Sequence, residues 1–184
     1  MVHWCLRQVL LLDMHKPAPE SFSESSSESS GAPQQTDSEG EHRVELWTSA
    51  IPRLGFIAEH HWFVIDDCGE QSRWEVWQTA NVICNDIGES WDHLHRDLLP
   101  LTAGMRKGPA WKLSTWQGDQ ARYLIDRIRT SPQHYPWCSK YRYWPGPNSN
   151  TYVRWILLGQ YTLGRKGLGR LYCCLLYTSD AADE

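Results

Sequence analysis

The sequence predicts an α+β domain, a small antiparallel sheet with helices packed against it. Three observations lead there. β-prone apolar runs crowd the first half of the folded region, with Asp/Gly turn signals between them. A helical period of three to four residues takes over later, most clearly over 118–130. A Pro-rich turn then leads into one more helical stretch.

The elements follow in order. Val44, Leu46 and Trp47 suggest a first strand that Pro52 ends. His61-Trp62-Phe63-Val64-Ile65 is a second strand, stopped by Asp66-Asp67-Cys68-Gly69. Arg73-Trp74-Glu75-Val76-Trp77 follows, and a hairpin is the simplest arrangement for this pair. A further short strand is read over 81–86. Trp91, Leu94, Leu98 and Leu101 recur at helical spacing, so a short helix cut by Pro100 is expected there. Leu113 closes an extended segment. In 118–130, Tyr123, Leu124 and Ile128 build an apolar side with Ala121 and Ile125 adjoining. Asp119 suits its first turn, and Arg127 and Arg129 suit its C-terminal end. Asn148 or Ser149 is the expected N-cap of a last helix carrying Tyr152, Val153, Trp155 and Ile156 and ending near Gly159.

The expected organisation is a single domain over 43–163. Residues 1–14 have no clear assignment; their apolar run is short and lacks a cleavage site, so no signal peptide is read. Residues 15–42 read as a disordered Ser/Glu-rich linker, with too little apolar surface to offset its ordering entropy. A phosphorylation-controlled tail is the alternative there. Residues 164–184 read as an irregular tail, broken by Gly164, Gly167 and Gly169. The last stretch, 173–184, looks like the conceptual translation of sequencing-adapter DNA, which makes the chain a truncated domain.

Composition narrows the function classes. The 184 residues carry 18 basic and 22 acidic groups, a net charge of -4, with no basic block to bind nucleic acid. No apolar run approaches the length of a membrane span. Six cysteines lie scattered with neither CxxC nor zinc-finger spacing, so no metal and no cofactor is expected. Scattered thiols fit a reducing compartment and slightly favour the cytoplasm. Eleven Trp and 8 Tyr against 3 Phe imply that several rings line a surface groove or are partly buried.

Three places can carry chemistry. His61 opens a strand, and an imidazole exchanges protons near neutral pH, so it is a candidate general base or an ordinary strand-start histidine. Ser149 stands at a loop-to-helix junction, where backbone N–H groups can hold an anion or a developing oxyanion; it is a candidate nucleophile or a helix cap. Glu75, with Gln78 as a second choice, is a candidate to orient His61 or a solvated carboxylate. His93 and His95, two residues apart, do not converge on one ion if helical.

Two resemblances add to this. The string 141–153, Tyr-Arg-Tyr-Trp-Pro-Gly-Pro-Asn-Ser-Asn-Thr-Tyr-Val, resembles the signature of the mainly bacterial family called domain of unknown function 3750. Ala50-Ile51-Pro52, His61-Trp62, Arg73-Trp74-Glu75-Val76 and Tyr135-Pro136 are similar to its members too, over about residues 44–159. The resemblance brings no established activity. Its members continue beyond the last helix, which agrees with truncation.

The order of parts is also similar to circularly permuted papain-like proteins, such as NlpC/P60 peptidases, lecithin-retinol acyltransferase and desumoylating isopeptidases. In these a histidine opens an early strand, and much later an Asn-Cys-x-x-Phe loop starts a helix with the cysteine as nucleophile. Here Ser149 stands in the cysteine's place, and its hydroxyl is far less acidic than a thiol. This resemblance implies a permuted papain-like fold.

Three readings follow. The first is a hydrolase or acyltransferase acting on an amide or ester. Its catalytic residues are His61, Ser149 and Glu75, and backbone N–H groups near Asn148 and Asn150 form the oxyanion hole. The second is a non-catalytic module binding a peptide or small molecule in an aromatic groove built from Trp62, Trp137, Tyr141, Tyr143, Trp144, Asn148 and Asn150. In the third, the Pro-Gly-Pro-Asn run just builds a rigid turn.

Overall fold

A computed structural model describes residues 41–83 and 88–173. The linker expected over 15–42 lies almost wholly outside the described residues, as do the N-terminal segment and most of the 173–184 stretch. Six strands form one antiparallel sheet: β1 (His42–Ala50), β2 (Glu59–Asp67), β3 (Glu70–Val76), β4 (Glu89–Trp91), β5 (Leu94–Arg96) and β6 (Ala110–Gln117). Their order across the sheet is β4-β5-β3-β2-β1-β6. Three helices follow: α1 (Gly118–Arg129), α2 (Ser131–His134) and α3 (Ser149–Leu157). The α+β expectation holds, and the expected β2–β3 hairpin forms with Asp67 opposite Glu70. No helix among the described residues is long and apolar enough to cross a membrane.

Period-two alternation divides β2 between the two faces of the sheet. Phe63 and Ile65 point into the main core beside Val44, Leu46, Trp74 and Val76. Ala121, Leu124, Ile125 and Ile128 of α1 cover them, at the i, i+3, i+4, i+7 spacing of one helical face. Tyr123, expected on that face, points outward and is exposed. Tyr152, Val153, Ile156 and Leu157 of α3 complete the core. Arg127 joins the two helices by donating to the carbonyls of Trp155 and Ile156 near the C-terminal end of α3. That is the end where a cation is favoured.

The helix expected over Trp91 to Leu101 is instead the β4–β5 hairpin. Trp91 faces Leu94 across a two-residue turn, and Asp92 takes φ 50° there. A separation of three residues fits a helical face and equally a hairpin pair closed by two turn residues. Strand β5 wins because it completes the edge of β3, Val76 opposite Leu94 and Glu75 opposite His95. The strand read over 81–86 does not form at 81–83, and its remainder lies outside the described residues.

Residues 164–173 form turns without helix or strand, and they pack against the main core. Leu163 and Cys173 are buried in the main core. Gly169, at φ 85°, passes so close to the Asn148 side chain that a β-carbon would collide with it. Gly146, at φ 123°, has the Thr151 hydroxyl 2.8 Å from the place a β-carbon would occupy. Both glycines let backbone close over the start of α3.

Candidate functional site

The start of α3 is built around Asn148. Its side chain accepts from the backbone N–H groups of Asn150 and Thr151, and the Thr151 hydroxyl accepts from the Asn148 N–H, a reciprocal capping box. The Asn148 amide nitrogen donates to the carbonyls of Tyr143 and Leu168. Asn148 is therefore the cap, and Ser149 is the first helical residue. Two of the backbone N–H groups expected to hold an oxyanion serve the cap instead.

Asn150 is the hub of the site. Its amide nitrogen donates to Glu59 O at 3.1 Å and Leu168 O at 2.8 Å. Two carbonyls can be faced only by the NH₂ end, so the orientation of this amide is determined. The Oδ1 end must then face His61 Nδ1, 2.7 Å away. It also accepts from the Ser149 hydroxyl at 3.4 Å. A carbonyl oxygen only accepts, so His61 carries its hydrogen on Nδ1. Nε2 is left with its lone pair, buried and without a hydrogen-bond partner. The carboxylate of Glu59 lies 3.9 Å from it.

The structure thus brings His61, Ser149 and Asn150 together, from a strand and a helix almost ninety residues apart. His61 and Ser149 meet through the Asn150 oxygen rather than directly. His61 is 1% exposed and Ser149 4% exposed, so both lie beneath the surface.

Glu75 is not part of this cluster. Register places Val64 opposite Arg73, so the even-numbered residues of β2 share a face with the odd-numbered residues of β3. Glu75 therefore lies with His60, on the face of the sheet away from His61. His60 Nε2 donates to Glu75 Oε2 at 2.7 Å. Arg73 holds the same carboxylate through two hydrogen bonds of 2.7 and 2.9 Å. Burial alone would raise the Glu75 pKa, but the Arg73 charge and the His60 hydrogen bond outweigh it and hold the carboxyl at about 2. Arg73 also donates to Pro100 O and Ala103 O and stands 4.2 Å over the Trp62 ring. Gln78, the second choice of orienting group, is exposed.

The expected aromatic groove is divided in the same way. Trp62 is fully buried on the Glu75 face, its indole N–H donating to Leu101 O. Trp137 is a core residue, edge-on to Tyr135 and Tyr172. Tyr141 is partly buried between His93 and Tyr143. Tyr143 and Trp144 alone among these rings are largely open to solvent, at 63% and 71%. Their loop is clamped by Arg142 N–H on Pro147 O and by Asn148 on Tyr143 O. A cavity of about 110 Å³ opens elsewhere, between Arg43, Glu45, Val64 and Leu101 among others, and does not reach Ser149.

The sequence reading did not pick out Arg73 or the Leu168 carbonyl, and it named His60 only as an alternative to His61. The first was legible, because residues two apart in a strand share a face and Arg73 precedes Glu75 by two. The Leu168 carbonyl carries no sequence signal, since any residue there would present the same atom.

Two histidines are held neutral. Burial brings His61 from 6.5 down to about 4, against the raising effect of its hydrogen bond to Asn150. Burial also brings His95 down to about 4, against the pull of the Glu75 carboxylate. In the unfolded chain each takes up its proton near pH 6.5. Above that pH their contribution to stability is complete. Between about pH 6.5 and 4 the unfolded chain binds the extra protons, and stability falls with pH by up to ~2.7 kcal/mol per unit. Urea denaturation at pH 7, 6, 5 and 4.5 should reveal this slope, and His95→Gln should halve it. Stability that stays flat from pH 6.5 to 5 would contradict the burial of both neutral rings.

No curated protein and no solved structure matches the chain. A family model described as protein of unknown function (DUF3750) matches residues 41–172, which takes in the whole sheet, the three helices and the packed segment after α3. The chain belongs to the DUF3750 family of proteins of unknown function.

Proposed function

We propose that the protein is a hydrolase or acyltransferase that acts on an amide or ester through Ser149 and His61, with Asn150 as the group that orients the histidine. One observation carries the reading. Asn150 Oδ1 holds the Nδ1–H of His61 and also accepts from the Ser149 hydroxyl, which leaves His61 Nε2 unprotonated, buried and without a hydrogen-bond partner. Orientation of a histidine by an acceptor on one nitrogen, with the other free to take a proton, is the logic of a nucleophile–base–orienter set.

In this reaction the Ser149 hydroxyl leaves Asn150 and turns to the imidazole. Its oxygen bonds to the carbonyl carbon as its proton passes to His61 Nε2. The leaving amine or alcohol takes that proton as its bond to the carbon breaks. Water or a second acceptor then removes the acyl group from Ser149 by the same route in reverse. Substrate entry requires the chain over Ser149 to move, since the hydroxyl is buried. A base with a pKa of about 4 remains ready throughout the neutral range, so the acid limb of activity is expected near pH 4 rather than 6.5.

The second reading is a non-catalytic binding module. It is favoured by the exposure of Tyr143 and Trp144 on a clamped loop, and by the use of the Asn150 and Thr151 N–H groups in the cap. A fluorophosphonate probe distinguishes the two. Labelling that maps to Ser149 and disappears in Ser149→Ala and His61→Gln is the expected result. A folded wild-type chain that stays unlabelled, alongside a serine hydrolase that labels in the same reaction, would overturn the catalytic reading and leave the binding one.

A further inference from the structure

At the far end of the β1–β2 pair, three donors of different chemistry converge: the His42 imidazole, the Asp67 carboxylate and the Cys68 thiol. Their ligand atoms all lie within 4.8 Å of one another. His42 Nδ1 is 2.6 Å from Asp67 Oδ1 and 3.9 Å from Cys68 Sγ. We propose that this cluster is a binding site for a divalent transition metal, Zn²⁺ being the ion that fits it best.

The donor set selects the ion. A nitrogen, an oxygen and a sulfur from three side chains suit a borderline ion, whereas Ca²⁺ and Mg²⁺ take oxygen ligands alone. Zn–ligand bonds of about 2.0–2.3 Å in a tetrahedron put neighbouring ligand atoms roughly 3.3–3.8 Å apart. The sulfur–nitrogen gap, at 3.9 Å, lies just above that range and must close slightly. The nitrogen–oxygen gap is a hydrogen bond, and it must open by less than about 1 Å. On binding, the thiol proton is released to solvent and the imidazole hydrogen moves from Nδ1 to Nε2, so that N, O and S each present a lone pair.

The surroundings hold the ligands in place. Register sets His42 opposite Asp67, at the end of the β1–β2 ladder. Cys68 follows in the turn at φ 56°, and the Asp66 carboxylate pins that turn by accepting from the Gly69 N–H. The second oxygen of Asp67 accepts from Arg129 of α1, which fixes the carboxylate plane and leaves Oδ1 to the metal. Cys68 is exposed and the other two are partly so, which leaves a fourth position for water. The site lies at the opposite end of β2 from His61 and does not depend on the reading of Ser149.

The test uses the full chain with Co²⁺ as a spectroscopic substitute for Zn²⁺. The expected result is a thiolate-to-cobalt charge-transfer band in the near ultraviolet that Zn²⁺ abolishes by displacement. Cys68→Ser should remove the band, and His42→Gln and Asp67→Asn should each weaken Co²⁺ affinity about 10-fold or more. The chain has five other cysteines, so a band that persists unchanged in Cys68→Ser places the metal elsewhere and overturns the proposal. A wild-type chain without the band overturns it too. Cys68 sits in an exposed turn, so Cys68→Ser is expected to fold like the wild type, which circular dichroism checks.

Discussion

Asn150→Ala is expected to destabilise the domain by about 3–5 kcal/mol, because one small side chain satisfies buried groups from three parts of the chain. Its NH₂ serves the carbonyls of Glu59, at the start of β2, and Leu168, in the segment after α3. Its oxygen serves His61 and Ser149. Alanine leaves two carbonyls and an imidazole N–H in a region almost closed to water. Each such orphan costs roughly 1–3 kcal/mol, and partial relaxation brings the total below the simple sum. In a domain of this size the loss corresponds to a drop in Tm of about 10–20 °C. Asn150→Asp separates the two ends of the amide. It keeps an acceptor for His61 but sets a carboxylate against two carbonyl oxygens, so it should also be strongly destabilising at neutral pH. Equilibrium urea denaturation measures both. A loss under about 1 kcal/mol in Asn150→Ala would mean that the hub is not assembled in solution.

Arg73→Met is expected to cost about 3–5 kcal/mol, and Arg73→Met with Glu75→Leu markedly less than the two single changes together. The single change leaves the Glu75 carboxylate buried with only His60 as a partner. It also strips the Pro100 and Ala103 carbonyls of their donor and removes the cation above Trp62. The double change removes the buried charge as well, which offsets much of the loss, since apolar replacement of a whole buried ion pair is often near neutral. The coupling between the two sites should exceed about 1.5 kcal/mol in a double-mutant cycle. Additive effects would show that Arg73 and Glu75 do not act as a pair. Asp97, whose carboxylate accepts from the Arg73 backbone N–H, stays in place in both variants and keeps the loop after β5 tied to β3.

Much of the scaffold is legible in the sequence. The β2–β3 hairpin follows from two β-prone runs and an Asp/Gly turn, and α1 follows from the spacing of its apolar residues, of which Leu124, Ile128, Ala121 and Ile125 are buried and Tyr123 is not. Turn chemistry narrows the cap of α3 to Asn148 or Ser149. The error over 90–101 has a simple origin: Trp91 and Leu94 are three residues apart, and that separation is shared by a helical turn and a tight hairpin. The choice was made by β3, whose edge needed a partner.

The candidate site divides along the same line. Local chemistry marked His61, Ser149 and Asn150 as residues worth attention, because a strand-start histidine and a loop-to-helix junction carry their meaning in a few neighbouring residues. Which histidine meets which acid was beyond reach of the sequence. Adjacent residues of a strand point to opposite faces, so a register shift of one would have exchanged His60 and His61 as partners of Glu75. Long-range pairing sets that register, and it sends Glu75 and Trp62 to one face and Ser149 and Asn150 to the other. The sequence by itself determined the class of fold, most of its elements and the candidate side chains. The tertiary structure alone decided their company, because a hydrogen bond between residues 89 positions apart depends on how the whole sheet and its helices come together.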